Sequence, residues 1–297
     1  MSFLPENVRK APPVPILKLP APEPPPPPRP IVKWVGGKRG ILDQLVELFP
    51  ARHGTYFEPF LGGAAVFLRA APPHSCLGDA NPDLAQLYQT VRDEPVALMQ
   101  ALDAMQPHVL DEEYYYAQRA LPSASLPSPA RAARFIYLNK TCYNGLYRVN
   151  RKGQFNVPFG RYTEPPRLYD ADNIRRVARV LAGARLVHGD FEETLAEAGP
   201  GDFVYLDPPY VPLTASANFT KYTADAFGPA DQERLARCYR ALSERGCKLL
   251  LSNSDTPEVK RLYAGFNIRV VWAPRNINSD VGGRKRIAEL AVRNYDT

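Results

Sequence analysis

The stretch Asp202-Phe203-Val204-Tyr205-Leu206-Asp207-Pro208-Pro209-Tyr210 runs an apolar strand into an acidic corner stiffened by two prolines. Neither proline has a backbone N–H. The carbonyls and the Asp207 carboxylate are left to accept hydrogen bonds at the strand's C-terminal edge. A planar amino group is the natural donor to such a pair of acceptors. Tyr210 can stack on an aromatic ring presented there. The plain alternative is a strand that ends in a proline turn.

Three further stretches could act with this corner. Thr55-Tyr56-Phe57-Glu58-Pro59-Phe60-Leu61-Gly62-Gly63-Ala64 reads as a short strand, a glycine turn and a helix start, which lets a ligand approach the backbone closely. An ordinary tight turn reads the same way. About 20 residues on, Leu77-Gly78-Asp79-Ala80-Asn81 ends a second strand in an acid placed to bind ribose hydroxyls, or to cap the next helix. Between Lys140 and Arg167, six basic residues stand against Glu164 alone. Tyr143, Tyr147, Phe155, Phe159 and Tyr162 interleave with them, a mixture suited to phosphate contact and insertion between bases. A solvated hairpin is the bland alternative. Arg284-Lys285-Arg286, after Gly282-Gly283, suits backbone phosphates or a charged strand entry.

These residues need a scaffold. Strand-like runs at Thr55–Glu58, Cys76–Gly78, Leu186–His188, Phe203–Leu206, Lys248–Leu251, Ile268–Trp272 and Ile287–Val292 alternate with helical patterns at Gly40–Phe49, Ala64–Ala70, Leu84–Arg92, Ile174–Leu181 and Pro229–Glu244. The alternation predicts an α/β fold with a parallel, doubly wound sheet. It breaks between Pro82 and Arg167, where helical pieces (Asp111–Arg119, Ala130–Asn139) flank a Pro/Ser linker. A long insertion of this kind is where substrate recognition is expected.

Composition sets the outer limits. With 297 residues, 45% of them hydrophobic and 23% charged, and a net charge of +6, the chain has ample material for a core and is not a fully disordered one. Twelve of the 32 prolines lie in the first 30 residues, so Met1 to Pro30 reads as a polyproline-type, largely disordered arm. Cys76, Cys142, Cys238 and Cys247 are widely spaced, which fits a reducing cytoplasm and argues against a zinc site or disulfide framework. No apolar run nears the roughly 18 residues of a membrane span.

Lys33-Trp34-Val35-Gly36-Gly37-Lys38, Phe57-Glu58-Pro59-Phe60-Leu61-Gly62, Tyr143-Asn144-Gly145-Leu146-Tyr147-Arg148 and Asp207-Pro208-Pro209-Tyr210 together resemble the DNA adenine methylase family, from Ile31 to nearly the C-terminus. These are α-class (D12) N6-adenine methyltransferases that use S-adenosylmethionine. One departure stands out: the family's Phe-x-Gly-x-Gly turn reads Phe60-Leu61-Gly62-Gly63-Ala64 here.

The resemblance implies a Rossmann-like methyltransferase sheet with an inserted, mainly helical DNA-recognition domain. Residues 1–30 would be the arm, 31–83 and 168–297 the catalytic domain, and 84–167 the target-recognition domain. It implies a cofactor pocket of Trp34, Lys38, Glu58, Pro59, Phe60, Gly62, Asp79, Asp190, Phe191 and Asp207. Lys38 would lie near the methionine carboxylate and Asp79 on the ribose. Asp190 would accept from the cofactor's adenine amino group, although an Asp capping the helix after it would look the same. Catalysis would fall to Asp207, Pro208, Pro209 and Tyr210. The target adenine would swing out of the duplex, its amino hydrogens bonded to the Asp207 carboxylate and the Pro208 carbonyl, for direct displacement without a covalent enzyme intermediate. S-adenosylhomocysteine would leave, and no metal is called for. Leu213–Phe219 would form a flap.

DNA contacts implied by the same match are Lys33, Tyr143, Asn144, Leu146, Arg148, Asn150, Pro158, Arg161, Arg284 and Lys285. Tyr143 and Asn144 would enter the stack, Leu146 would touch a thymine methyl, and Arg148 would fork onto guanine. Together they point to 5′-GATC-3′ in double-stranded DNA. A monomer with no membrane association is expected, in a bacterial or phage cytosol. A cognate restriction endonuclease or a solitary regulatory role are both open. Rival readings are transfer to another target sequence, to cytosine N4 or to an RNA base, or a non-catalytic DNA-binding relative.

Overall fold

The structure, a computed structural model, describes residues 26–38, 40–150, 152–211, 227–273 and 287–296. Seven strands form one sheet: β1 (Tyr56–Glu58), β2 (Ser75–Asp79), β3 (Ala184–His188), β4 (Phe203–Leu206), β5 (Lys248–Ser254), β6 (Asn267–Ala273) and β7 (Ile287–Arg293). Their order is β3-β2-β1-β4-β5-β7-β6. The first five in that order are parallel, as the alternating pattern predicts. β7 runs antiparallel to both β5 and β6, wedged between them. A strand running the opposite way adds to a parallel sheet through a hairpin and needs no crossover helix.

The connection order reverses between β1 and β4. β1 leads outward to β2 and β3, whereas β4 leads the other way to β5. Such a switch point opens a crevice outside the carboxyl ends of the two strands. Glu58 ends β1 and Asp207 follows β4, so the two acids meet at that crevice.

Helices cover both faces: α1 (Leu42–Val46), α2 (Ala65–Ala70), α3 (Pro82–Asp93), α4 (Pro95–Met105), α5 (Glu112–Ala120), α6 (Ser128–Thr141), α7 (Ala171–Leu181), α8 (Phe191–Leu195), α9 (Pro229–Glu244) and α10 (Pro257–Leu262). Strand alternation divides the core. Tyr56, Phe203 and Tyr205 pack around Phe49 just after α1, with Phe67 of α2 against Tyr56, whereas Phe57, Val204, Leu206, Leu249 and Leu251 pack with α8 and α9 residues such as Phe191, Leu195, Leu235 and Tyr239.

Local chemistry sets the helix ends. Asn81 caps α3, its side chain accepting from the Asp83 and Leu84 amides, and Pro82 fills the first helical position. α1 is shorter than the predicted Gly40–Phe49, since no side chain caps its start and Pro50 disfavours helical geometry at Phe49. α4 was not among the predicted pieces. Pro95 opens it directly after α3, and Leu98, Met99, Leu102 and Met105 give it a buried face. α3 packs on β3 and α7 on one side and on α6 on the other.

The proline-rich arm through residue 25 lies outside the described residues. Its root is docked rather than free. Arg29 exchanges backbone bonds with the Asn173 side chain and reaches Asp170, the cap of α7, with its guanidinium at 3.1 Å. Among the described residues, no helix is long and apolar enough to cross a membrane.

Candidate active site

The corner after β4 is braced from two elements, α9 and β5. Gln232 on α9 donates to the Pro209 carbonyl at 2.7 Å. Asn253 at the end of β5 accepts from the Val211 amide, and Ser254 donates to the Val211 carbonyl at 2.7 Å. Asn253 also donates to Gln232, closing the brace. The prolines remove donors while these side chains fix the backbone, so the corner is preorganised before any ligand arrives.

Asp207 projects from this corner toward Lys38. The Lys38 Nζ lies 2.8 Å from Asp207 Oδ1, donates to the Gly36 carbonyl at 2.7 Å and stands 4.7 Å from the Tyr210 ring centroid. The Tyr210 hydroxyl donates to Glu289 Oε2 on β7 at 2.7 Å. Residues of the acid–proline corner and of the Lys33–Lys38 loop, far apart in sequence, therefore share one cluster.

On β1, Tyr56 donates to Glu58 Oε2 at 2.7 Å. Burial pushes the Glu58 carboxyl up to about 8. Asp207 rises to about 6, again through burial first, with Lys38 pulling the other way. Asp79 on β2 rises to about 6 for the same reason, opposed by backbone donors. Glu58 and Asp207 thus share the influence of Lys38, while Asp79 stands apart at the end of the neighbouring strand β2.

The glycine turn is tied on both sides. Gly62 donates its amide to Asp79 Oδ2 at 2.8 Å and accepts from the Tyr88 hydroxyl at 2.9 Å. Asp79 Oδ1 accepts from the Asn81 amide. Gly62 has φ +50°, and a Cβ there would come within 2.8 Å of the Trp34 ring. Trp34 in turn packs at 4.9 Å from Tyr147 and 6.3 Å from Phe135. Ala64, standing where the family pattern has glycine, keeps the left-handed backbone at φ 57°. After Pro59, Phe60 packs on Phe191 and Phe227.

Asp190 caps α8, and its carboxylate takes a two-pronged bond from Arg234 at 2.8 and 2.7 Å. Arg234 holds that carboxyl below its ordinary range. The same guanidinium lies 4.3 Å over the Phe191 ring. The capping alternative for Asp190 is therefore observed.

The basic, aromatic loop follows α6. Tyr143–Gly145 makes one tight turn in which Asn144 and Gly145 both have positive φ, and a Cβ at Gly145 would strike the Lys33 side chain. Asn139 ties this turn to the N-terminal loop: it accepts from the Lys33 amide and donates to the carbonyls of Lys33 and Gly145. Tyr143 and Leu146 are 53% and 39% exposed, and Arg148 is also exposed. Tyr147 and Val149 between them are buried, so the loop shows one side chain set to solvent and anchors the other. Arg148 donates to Asn156 at 2.7 Å. Asn150 closes a hairpin by accepting from the amides of Lys152 and Gln154, and donates to the Gln154 side chain. The Pro158 carbonyl accepts from the Tyr143 amide, and Arg161 is exposed. Arg284, Lys285 and the flap Leu213–Phe219 lie outside the described residues.

Sequence reasoning missed Gln232, Asn253, Ser254, Glu289, Asn139 and Arg234. Glu289 and the pair Asn253-Ser254 carried a signal, being polar residues within or ending apolar strands. Gln232 and Asn139 carried none, since each lies within an ordinary helical pattern. Among the described residues, no group of three or more His, Cys, Asp or Glu could hold a metal ion.

A mostly parallel sheet with an antiparallel β7 wedged at one edge, and an acid–proline corner at its switch point, defines a Rossmann-like methyltransferase. The chain belongs to the D12 class N6 adenine-specific DNA methyltransferases, whose family model matches residues 34–277. It is 39% identical over 273 residues to the type II methyltransferase M1.LlaDCHI of Lactococcus lactis subsp. cremoris, covering 90% of this chain and 95% of the relative. It is 40% identical over 287 residues to the type II methyltransferase M.MjaIII of Methanocaldococcus jannaschii, covering 90% and 99%. Against the DNA adenine methylase of Serratia marcescens the identity is 38% over 266 residues, covering 88% and 97%.

Proposed function

We propose that this enzyme transfers a methyl group from S-adenosylmethionine to N6 of the adenine in 5′-GATC-3′ of double-stranded DNA, after turning that adenine out of the helix. The observation that carries the reading is the braced Asp207-Pro208-Pro209-Tyr210 corner standing beside Lys38 and Glu58 at the switch point. The glycine turn at Gly62, tied to Asp79 at the end of β2, brings backbone and an acid to the same crevice, which suits a nucleoside-bearing cofactor.

In this reading Trp34, Lys38, Glu58, Gly62 and Asp79 hold the cofactor, with Phe60, Asp190 and Phe191 at its adenine end. Bound there, S-adenosylmethionine supplies an electrophilic methyl group. The protein prepares the nucleophile. An adenine amino lone pair is delocalised into its ring and is a poor nucleophile. Bonds from its two hydrogens to the Asp207 carboxylate and the Pro208 carbonyl favour a pyramidal nitrogen and stabilise the positive charge that develops on it. Tyr210 stacks on the extruded base. Asp190 reaches the cofactor only if it shares its carboxylate with Arg234 or releases it.

Residues 84–167 act as the target-recognition portion, with α3 as its junction to residues 31–83 and 168–297. The reader loop supports the GATC assignment. Exposed Tyr143, Leu146 and Arg148 match the family's contact positions, and Asn139 couples their turn to Lys33. The enzyme acts as a monomer, either beside a restriction endonuclease of the same target or alone. Mapping methylated bases in DNA from cells that express the full chain tests the reading. N6-methyladenine confined to GATC is expected. Methylation of another sequence overturns the target, and methylated cytosine overturns the chemistry.

A further inference from the structure

Glu289 interrupts the apolar run Ile287–Val292 with a carboxylate. Its strand is the antiparallel one, and the register sets Glu289 opposite Ser254 on β5 and Val271 on β6. Opposed residues share a face of the sheet, so Glu289 lies on the same side as Ser254, which ties down Val211 just after the catalytic corner. From there it accepts the Tyr210 hydroxyl at 2.7 Å.

An acid in this place is an electrostatic burden. Glu289 raises the proton affinity of Asp207, which must be ionised to accept from an amino group. The corner's backbone does not need it, because Gln232, Asn253 and Ser254 already hold Pro209 and Val211. What those three leave unfixed is the rotation of the Tyr210 ring. Lys38 lies over that ring, and Glu289 takes its hydroxyl at 2.7 Å, while the same hydroxyl also acts on Asp207. A phenol–carboxylate bond is charge-assisted and directional, so it sets the plane of the ring.

We propose that Glu289 is a positioning residue for methyl transfer: by holding the Tyr210 hydroxyl it presets the aromatic face on which the target base stacks. This rests on the reading of Tyr210 as the base-stacking residue. It gives the wedged β7 a function, that of delivering a side chain to the catalytic corner from two strands away.

The test is single-turnover methyl transfer from labelled S-adenosylmethionine into adenine-unmethylated genomic DNA, using the full chain. Glu289→Ala and Tyr210→Phe should each slow transfer about ten-fold. The double variant should be no slower than the slower single one, within about two-fold, since both remove one bond. Glu289→Gln, which keeps an acceptor at similar reach, should recover most of the rate. Should Glu289→Ala fail to fold, Glu289→Gln in the Tyr210→Phe background carries the comparison and should change the rate less than about two-fold. Transfer by Glu289→Ala at the wild-type rate, multiplied losses in the double variant, or Glu289→Gln as slow as Glu289→Ala would each overturn the assignment. If the wild-type chain forms no N6-methyladenine, the functional reading fails instead, and the two failures are distinct.

Discussion

Lys38 and Asp207 form an ion pair at 2.8 Å, with the lysine side chain only 4% exposed and the aspartate 19%. Asp207, the acceptor proposed for the target amino group, is therefore charge-paired within the protein. Lys38 lowers the Asp207 proton affinity, whereas burial and Glu289 raise it. Replacing Lys38 by Met leaves the Tyr210 hydrogen bond alone against the two raising influences. The acid limb of the methylation rate, expected near pH 6 in the wild type, should move toward neutrality. A pH–rate profile of Lys38→Met against wild type checks this, and an unmoved limb would show that the pair does not set the ionisation of Asp207.

Glu58 gives a prediction about stability. Its carboxyl is at about 8 when folded and near 4.5 when free. Folding thus favours the protonated form. The stability this group contributes is complete below its free value and is lost as pH rises through about 8. This group should therefore lower the thermal unfolding midpoint of the ligand-free protein between about pH 4.5 and about pH 8, and add no further decline above that. In Glu58→Gln that decline should be shallower, because the side chain can no longer ionise.

Gly62 is squeezed between its own backbone conformation and Trp34. At φ +50°, with a Cβ due within 2.8 Å of the indole, Gly62→Ala should cost about 1–3 kcal/mol of stability. It should also weaken S-adenosylmethionine binding, since the turn and Trp34 must both shift. Calorimetry of unfolding and of cofactor binding measures the two effects on one preparation.

Arg148 is exposed and steadied by Asn156 at 2.7 Å. Arg148→Ala should cost roughly 1–3 kcal/mol of discrimination at one guanine while leaving methylation of relaxed sites measurable. Rates on duplexes altered at single positions read this out. Undiminished selectivity would remove Arg148 from the recognition set.

The central strands were legible because each had a run of buried residues long enough to stand out, from Phe203–Leu206 to Leu249–Leu251, whereas β3 and β6 stood out by apolar residue type alone. The direction of β7 was not, since an apolar strand reads alike in either sense. The acid–proline corner announced itself through residue types alone. The side chains that brace it did not: Gln232 and Asn253 come from separate elements, and only the packing of α9 on β5 brings them together. Asp79 shows the same limit in another way. An acid ending a strand suggested a ribose contact, but sequence spacing could not reveal that both its oxygens already hold the amides of Gly62 and Asn81.

The central claim is that the Asp207 carboxylate prepares an adenine amino group for methylation. Labelled methyl transfer into a duplex carrying one GATC site, compared between wild type and Asp207→Ala at matched DNA binding, tests it most directly. The account predicts label in N6-methyladenine for the wild type and none for the variant, with DNA affinity retained. Transfer by Asp207→Ala at a rate close to that of the wild type would contradict it.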